Sequence, residues 1–170
     1  MTQIALSLGS NINPRHHLRS AIKELHKILN DITISSTYIT APWGMLEQHN
    51  FLNLALTAHS NFSPIELLKQ CQHIEKKHHR QRSIENGPRT LDIDILLYGD
   101  SINDADELIL PHPALCDRDF MLIPLLEIAP NIIHPTYQQP LAKYKETIKY
   151  QQILSTEPHH LLNQTPEEIA

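Results

Sequence analysis

Hydrophobic and polar positions follow two different periods along this chain, and each period predicts a set of elements. Apolar residues that alternate with polar ones, or that form short runs between turn residues, predict β-strands at residues 4–8, 32–40, 51–59 and 90–98. Apolar residues spaced three and four apart predict helices at residues 14–30 and from residue 64 to a basic end at 77–82. This order is typical of a ferredoxin-like βαββαβ core, so we predict an α+β fold whose antiparallel sheet has its helices on one face. The other face would stay free for a site.

The rest of the chain predicts an extension of this core. Further elements are expected at 108–110 (a strand), 117–126 (a helix) and 140–150 (a C-terminal helical extension). From residue 151 onward the chain is polar and contains two prolines, a composition that is typical of poorly anchored termini. We therefore expect a single domain over residues 1–150 and a loosely attached polar tail over residues 151–170.

Two aspartates interrupt the apolar strand at residues 90–98. Because side chains alternate between the two faces of a strand, Leu91, Ile93 and Ile95 point one way, and Asp92 and Asp94 point the other. Two carboxylates on a half-buried surface repel each other unless a cation lies close, and carboxylate oxygens suit Mg²⁺. The alternative is that both aspartates face solvent on an exposed sheet surface.

Basic residues concentrate just before this pair. Five of the fourteen lysines and arginines lie there, at Lys76, Lys77, Arg80, Arg82 and Arg89. Such a cluster indicates a solvated helix end or, beside two carboxylates, a site for a metal-bound polyphosphate. The whole chain carries a formal net charge of -5, which argues against a nucleic-acid partner.

An aromatic ring and a carboxamide share one face of the third predicted strand. Phe51 beside Asn53 would suit a flat heterocycle with donors and acceptors on its rim; the alternative is an ordinary cross-strand aromatic next to an exposed Asn. The loop at residues 41–48 holds the only tryptophan, Trp43, which is either tucked into the core or part of a pocket. The first strand ends in a turn at Gly9, which allows close approach of a ligand or is a plain turn.

Composition and motifs exclude several classes of protein. The chain is 41% hydrophobic and 19% charged, which is typical of a globular protein. It has no apolar run that could cross a bilayer and no secretion signal, so we expect a cytoplasmic protein without a membrane partner. Cys71 and Cys116 show no disulfide or metal spacing and are expected to be reduced thiols, and we do not expect the twelve scattered histidines to form a metal site. Without a Walker A loop or a nucleophile motif, the pattern favours a phosphotransferase that works by positioning and charge neutralisation.

Six motifs occur in an order that points to a known family. They are Gly9-Ser10-Asn11, Phe51-Leu52-Asn53, Gly87-Pro88-Arg89-Thr90-Leu91-Asp92-Ile93-Asp94, Pro111-His112, Arg118-x-Phe120 and Pro124-Leu125. In this arrangement the chain resembles the 6-hydroxymethyl-7,8-dihydropterin pyrophosphokinase family over residues 4–141. The resemblance implies an enzyme of folate biosynthesis that transfers pyrophosphate from ATP to the pterin hydroxymethyl group and releases AMP.

The resemblance also implies roles for individual residues. The implied metal ligands are Asp92 and Asp94, which would hold two Mg²⁺ ions as cofactors. The implied catalytic residues are Arg80, Arg89, Asp92 and Asp94. The implied ATP-binding residues are Gln72, Glu75, Arg80, Arg82, Arg89, Ile95, His112 and Arg118. The implied pterin-binding residues are Gly9, Thr40, Ala41, Pro42, Trp43, Phe51, Asn53, Asp92 and Phe120. Loops at residues 42–49 and 83–86 would close over the reactants.

The chain departs from the family pattern at several positions. Asn86 stands where many members have tryptophan, Phe51 where tyrosine is frequent, Glu107 where a basic residue assists ATP, and Pro113 where an aromatic is common. Two other functions fit part of the pattern: a metal-dependent phosphohydrolase that uses the same aspartates, and a non-catalytic ferredoxin-like binding module. We expect a monomer that binds ATP and 6-hydroxymethyl-7,8-dihydropterin and neither nucleic acid nor membrane.

Overall fold

An antiparallel sheet lies at the centre of the fold. The computed structural model describes residues 1–79 and 85–157. Its strands are β1 (Thr2–Ser10), β2 (Asn30–Ile34), β3 (Thr37–Thr40), β4 (Phe51–Ser60), β5 (Asp92–Tyr98), β6 (Asn103–Ala105), β7 (Leu108–Leu110), β8 (Ile133–His134), β9 (Gln139–Pro140) and β10 (Ile153–Glu157). Its helices are α1 (Pro14–His26), α2 (Pro64–Lys77), α3 (Asp119–Ile128) and a 3-10 helix (Leu141–Thr147). The main sheet has the order β10–β3–β4–β1–β5, and β2 also pairs with β4.

Local signals place most elements where the sequence predicts them. The pattern around Pro64 predicts a capping box, and the Ser63 hydroxyl accepts a hydrogen bond from Glu66 N while the Glu66 carboxylate accepts one from Ser63 N. The strand predicted at residues 32–40 is instead two strands, β2 and β3. Between them Ser35 N donates to Ala55 O and its hydroxyl accepts from Ala55 N, so a side chain carries part of the pairing with β4.

Each face of the sheet has its own core. On the first face, alternate apolar residues of β1, β4 and β5 pack against α1 and α2. On the second face, Ala5, Ala55 and Leu97 pack against α3 and the 3-10 helix. The expectation of helices on one face is therefore right for α1 and α2 and wrong for α3, whose many apolar residues need a surface to cover. Because α3 covers only one end of the second face, the other end holds the cavity described below.

The C-terminal segment differs most from the prediction. The helix expected at residues 140–150 is a shorter 3-10 helix, and β10 pairs with β3 at the edge of the sheet. The expectation of a loosely attached tail is therefore wrong for residues 153–157. The N–H groups of Gln152 and Ile153 both donate to the buried Asp119 carboxylate at 2.8 Å, an anchor that a polar sequence does not reveal. Residues 158–170 lie outside the described residues, and the domain boundary at residue 150 stays a prediction.

The structure also bears on membrane-spanning helices and on the two cysteines. None of the helices in the described part of the chain is long and apolar enough to cross a membrane. Cys71 and Cys116 are both free thiols, as predicted.

Candidate active site

A cavity of about 170 Å³ lies on the second face of the sheet, beside α3. The predicted site residues that line it are Gly9, Thr40, Ala41, Trp43, Phe51, Asn53, Arg89, Asp92, Asp94, Arg118 and Phe120. The lining residues outside the predicted set are Ser7, Asn86, Gly87, Met121 and Gln152. Of the residues implied for pterin binding, only Pro42 is missing from this wall.

Strand register brings the central residues of the cavity side by side. Gly9 on β1 pairs with Asn53 on β4 and with Asp92 on β5. Two residues earlier on β1, Ser7 pairs with Asp94. All five side-chain positions face the cavity because they share one face of the pleat, and the residues between them face the core under α1 and α2.

Gly9 leaves space for the Asn53 side chain to lie against the backbone of β1. A Cβ atom at this position would overlap Asn53 Oδ1, so only glycine leaves room for the carboxamide. Asn53 Nδ2 donates to Thr40 Oγ1 at 2.6 Å, and both side chains are buried. The Asn53 carboxamide is therefore held in one orientation before any ligand binds.

Asp92 and Asp94 project from β5 into the cavity, as strand alternation predicts. Both are half-buried, whereas the residue between them is buried in the core on the other face. Arg89 lies next to the pair, with its Nε 3.9 Å from Asp92 Oδ1. Its Nη1 donates to the carbonyl oxygens of the two preceding residues, each at 3.2 Å, which fixes the guanidinium near the carboxylates.

Asn11 ties the turn after β1 to two loops at the edge of the cavity. Its backbone N donates to Arg89 O at 3.0 Å, and its Oδ1 accepts from Arg89 N at 2.8 Å. Its Nδ2 donates to Gln48 Oε1 at 2.9 Å and to His49 O at 2.8 Å. Gln48 Nε2 in turn donates to Asn86 O at 2.7 Å, so the three loops hold one another in place.

Aromatic rings form the remaining wall. Phe51, Phe120 and Trp43 all line the cavity. The guanidinium carbon of Arg118 lies 5.1 Å from the centre of the Trp43 ring and 5.3 Å from the centre of the Phe120 ring, within cation–π range of both. The edge-to-face contact between Trp43 and Tyr150, with ring centres 4.6 Å apart, supports the tryptophan from behind.

The residues implied for ATP binding fall into three groups. Arg89 and Arg118 line the cavity. Arg80 and Arg82 lie outside the described residues. The structure places the others, Gln72, Glu75, Ile95 and His112, away from the cavity wall. Glu75 is buried, and its Oε2 accepts a hydrogen bond from Ile93 N at 3.0 Å, so it fixes the start of β5.

His112 lines a neighbouring cavity of about 220 Å³. Its Nδ1 accepts a hydrogen bond from Ala114 N at 3.1 Å. Burial, together with the positive charge of Arg118, lowers the pKa of His112 to about 4, so its imidazole is neutral near pH 7. The positive charge of Arg118, which lies near the Trp43 and Phe120 rings, thus also acts on the protonation of His112.

Comparison of the sequence with models of known protein families identifies the family of this chain. Residues 5–130 match the family model for 7,8-dihydro-6-hydroxymethylpterin-pyrophosphokinase (HPPK). The chain belongs to the HPPK family. The resemblance drawn from the six sequence motifs is confirmed.

Curated HPPK relatives match most of the chain. The 2-amino-4-hydroxy-6-hydroxymethyldihydropteridine pyrophosphokinase of Aquifex aeolicus is 43% identical over 146 residues, which cover 85% of this chain and 91% of that protein. The protein of the same name from Bacillus subtilis is 40% identical over 136 residues, covering 78% of this chain and 81% of that protein. The folic acid synthesis protein fol1 of Schizosaccharomyces pombe is 38% identical over 151 residues, but these make up only 21% of its length.

Solved structures show the same fold. A crystal structure of a Plasmodium falciparum HPPK-DHPS triple mutant has a TM-score of 0.71 and 15% identity, covering 86% of this chain and 43% of that chain. An HPPK-DHPS structure in complex with substrates has a TM-score of 0.67 and 16% identity, with the same coverage. This chain therefore spans less than half of these solved chains, and at such identity the likeness shows the fold alone.

One residue of the cavity wall lies beyond the segment that matches the HPPK family. Gln152 is 8% exposed, and its Nε2 donates to Ala41 O at 3.1 Å while Ala41 N donates to Gln152 O at 2.8 Å. The sequence around it has no clear hydrophobic period, so sequence reasoning missed it. The only signal is the short apolar pair that follows it, Ile153 and Leu154.

Proposed function

We propose that the chain transfers pyrophosphate from ATP to the hydroxymethyl group of 6-hydroxymethyl-7,8-dihydropterin, releasing AMP, in folate biosynthesis. Its HPPK family membership supports this, as do relatives at 40–43% identity that are named for this kinase. The observation that carries the proposal is one cavity that combines a carboxylate pair with aromatic rings and a fixed carboxamide. The carboxylates suit a divalent cation with phosphate, and the rings suit a flat heterocycle.

The pterin would lie between Phe51 and Phe120. Asn53, Thr40 and Ala41 line the same cavity, and their side chains and backbone can pair with the donors and acceptors on the edge of the ring. Because Thr40 already holds the Asn53 carboxamide, little ordering is needed on binding, and this favours affinity.

Asp92 and Asp94 would hold Mg²⁺ together with the triphosphate. Among residues 1–79 and 85–157, no group of three or more His, Cys, Asp or Glu side chains is placed to hold a metal ion. Two carboxylates that leave the other ligand positions to phosphate oxygens and water suit Mg²⁺, which binds in this way in many phosphotransferases. When bound, the metal would supply neutralisation of the phosphate charge, and we expect two ions.

Arg89 would bring a fixed positive charge to the phosphates. Hydrogen bonds from both sides of its peptide to Asn11 hold its backbone, and its side chain lies beside Asp92. A donor that is already in place needs no reorganisation during the reaction, which is the main source of electrostatic catalysis. The roles of Arg80 and Arg82, and of the four predicted residues away from the cavity wall, stay predictions.

The test is to identify the nucleotide product. The protein is incubated with ATP, Mg²⁺ and 6-hydroxymethyl-7,8-dihydropterin, and the products are separated by chromatography. AMP that forms only when the pterin is present is the expected result. Formation of ADP or phosphate without the pterin would instead indicate a phosphohydrolase, and absence of turnover would indicate a binding module.

We also infer a ferredoxin-like topology for residues 2–98. Its support is the strand order β5–β1–β4 with β2 and β3 beside β4, and two helices on one face. A monomeric state, a cytoplasmic location and the absence of nucleic-acid and membrane partners stay predictions of the sequence.

A further inference from the structure

Gln152 brings an unpaired hydrogen-bond acceptor to the cavity wall. Its side chain is 8% exposed and lines the cavity beside α3. Within residues 1–79 and 85–157, its Oε1 atom is buried and has no hydrogen-bond partner. Among the cavity-lining side chains of this described part, no other has a buried polar atom in that state. A buried carbonyl oxygen without a donor costs free energy, so a ligand that brings a donor to this atom is bound favourably.

The other three polar atoms of Gln152 each make a hydrogen bond, and these bonds fix the orientation of the carboxamide. The backbone N donates to Asp119 Oδ2 at 2.8 Å, and the backbone O accepts from Ala41 N at 2.8 Å. The side-chain Nε2 donates to Ala41 O at 3.1 Å. Because Ala41 O can only accept, exchanging Nε2 and Oε1 by a half-turn of the amide would break this bond. Oε1 is therefore an acceptor in a fixed position.

Strand order places Gln152 at the end of the cavity away from the carboxylates. The main sheet has the order β10–β3–β4–β1–β5. Asp92 and Asp94 lie on β5, whereas Gln152 directly precedes β10 and is bonded to Ala41, which follows β3. The proposed metal and phosphates lie at the β5 end, so the reacting hydroxymethyl group of the pterin has to point towards β5.

A pterin carries its reacting group and its amino group at opposite ends of the ring system. The hydroxymethyl group is attached to C6, and the 2-amino group lies on the far, pyrimidine edge. With the ring between Phe51 and Phe120 and C6 towards β5, the pyrimidine edge faces β3 and β10. At this end the Thr40 hydroxyl already accepts from Asn53 Nδ2 at 2.6 Å, whereas Gln152 Oε1 still lacks a donor.

We propose that Gln152 recognises the pterin through its Oε1 atom, which accepts a hydrogen bond from the 2-amino group. Gln152 is then a specificity-determining residue, because a heterocycle of the same shape without this amino group leaves the acceptor buried and unpaired. A site that pairs with a substrate N–H discriminates more strongly than one that only fits the shape. The inference rests on the proposed function, because it needs the pterin to bind in this cavity.

A substrate without the amino group tests this contact in the full chain. AMP formation is measured with ATP, Mg²⁺ and either 6-hydroxymethyl-7,8-dihydropterin or its 2-deamino analogue, which has hydrogen in place of the amino group. The discrimination factor is kcat/KM for the pterin divided by kcat/KM for the analogue. For the wild type we expect a factor on the order of 100, since the analogue leaves a buried acceptor unpaired.

Two substitutions separate the acceptor from the rest of the side chain. Gln152→Met keeps the length but loses Oε1, so the discrimination factor should fall about tenfold. Its loss of the bond to Ala41 affects both substrates alike and cancels in the ratio. Gln152→Glu keeps an oxygen acceptor and should retain at least the wild-type factor. Because the contact is remote from the reacting carbon, the loss in Gln152→Met should appear mainly in the KM for the pterin, with little change in kcat.

Gln151→Met is the matched control, since it makes the same substitution one residue earlier. The Gln151 side chain is exposed and lies outside the cavity wall, so its kinetic constants and its discrimination factor should equal those of the wild type. Urea unfolding checks that each variant is folded in the assay. If Gln152→Met does not fold, Gln152→Asn takes its place, because its shorter amide also withdraws the acceptor while the side chain stays polar.

Three results would overturn the inference. A factor near 1 in a wild-type protein that forms AMP would mean that the amino group is not recognised, while the proposed function stands. An unchanged factor in Gln152→Met, with equal losses for both substrates, would mean that Gln152 only supports the cavity wall. Absence of AMP formation by the wild type with the pterin itself would overturn the proposed function and the inference with it.

Discussion

At the scale of single residues, the contact between Gly9 and Asn53 gives the most direct test of the pterin subsite. A methyl group in Gly9→Ala would overlap Asn53 Oδ1 and push the carboxamide away from Thr40. We expect the KM for pterin to rise about tenfold or more. The displaced carboxamide could no longer form well-aligned hydrogen bonds with the pterin, and a buried polar group that is left unpaired costs binding free energy. Stability should fall by about 1–3 kcal/mol, as is usual when a tight site is overpacked.

Gly99→Ala is the matched control for this change. Gly99 has a φ of 52°, and a Cβ there would lie 2.9 Å from Thr2 Cγ2, far along the strands from the cavity. It should lose about 1–2 kcal/mol of stability through backbone strain and leave the KM for pterin unchanged. Steady-state kinetics and urea unfolding of both variants make the comparison. Equal KM values for Gly9→Ala and the wild type would contradict the proposed role of Asn53.

At the scale of elements, Asp119 fixes β10 against the rest of the fold. Asp119→Ala leaves the N–H groups of Gln152 and Ile153 without their shared acceptor, and we expect a loss of about 2–4 kcal/mol in the free energy of unfolding. The KM for pterin should rise as well, because Gln152 and Ala41 hold each other in the cavity wall.

Asp117→Ala, which removes only a long contact with Lys149, should change stability by less than about 1 kcal/mol. Similar losses in the two variants, measured by urea unfolding, would show that β10 is not anchored through Asp119.

The junction of α1 and α2 should make stability depend on pH. His17 Nδ1 and His78 Nδ1 are 2.6 Å apart, a hydrogen bond that requires at least one neutral ring. Burial, and then the charges of His78, His16 and His79, lower the pKa of His17 from 6.5 to about 4. Burial lowers the pKa of His78 too, and the charges of His16, His79 and Lys77 act in the same direction while Glu24 opposes them.

The sign of this effect follows from proton uptake. Between pH 6.5 and 4 the unfolded chain binds a proton at His17, whereas the folded chain does not. The contribution of His17 to the free energy of unfolding is therefore fully present above pH 6.5 and is lost as the pH falls towards 4. After allowance for partial exposure, we expect a contribution of about 1–2 kcal/mol. Urea unfolding at pH 7 and pH 4.5 should show a smaller loss for His17→Gln than for the wild type. His26→Gln, at the exposed end of α1, is the control that should behave like the wild type, and equal losses in all three proteins would rule out the His17 pair as the cause.

At the scale of the whole molecule, the sequence predicts the helices and strands in which apolar residues recur at a regular spacing. It does not predict elements whose position depends on the hydrogen bonds of one side chain. The strands β1, β4 and β5 follow from apolar spacing, and α2 follows from apolar spacing and a capping box. The positions of Asp92 and Asp94 follow from strand alternation. The position of β10 depends on the buried carboxylate of Asp119, which no local pattern reveals. Gln152 therefore escaped prediction, although it lines the cavity.

The two faces of the sheet also separate stability from function, and β5 shows this along one strand. Ile93 is 5% exposed in the core under α1 and α2, so Ile93→Ala should cost about 2–5 kcal/mol in stability. Asp94→Asn keeps shape and packing but removes a charge that the proposed metal site needs. We expect turnover to AMP to fall on the order of 100-fold or more, with a change of less than about 1 kcal/mol in the free energy of unfolding, since the half-buried Asp94 side chain lies on the cavity face and outside the core.

The measurement is AMP formation per folded molecule, with stability followed by urea unfolding of the same preparations. Ile93→Ala, assayed well below its melting temperature, should retain most of its turnover, because its side chain lies on the face away from the cavity. Near-normal turnover in Asp94→Asn would contradict the proposal that Asp94 binds Mg²⁺. A large loss of stability there would mean that the carboxylate holds the strand in place, and the division between the two faces would then be wrong.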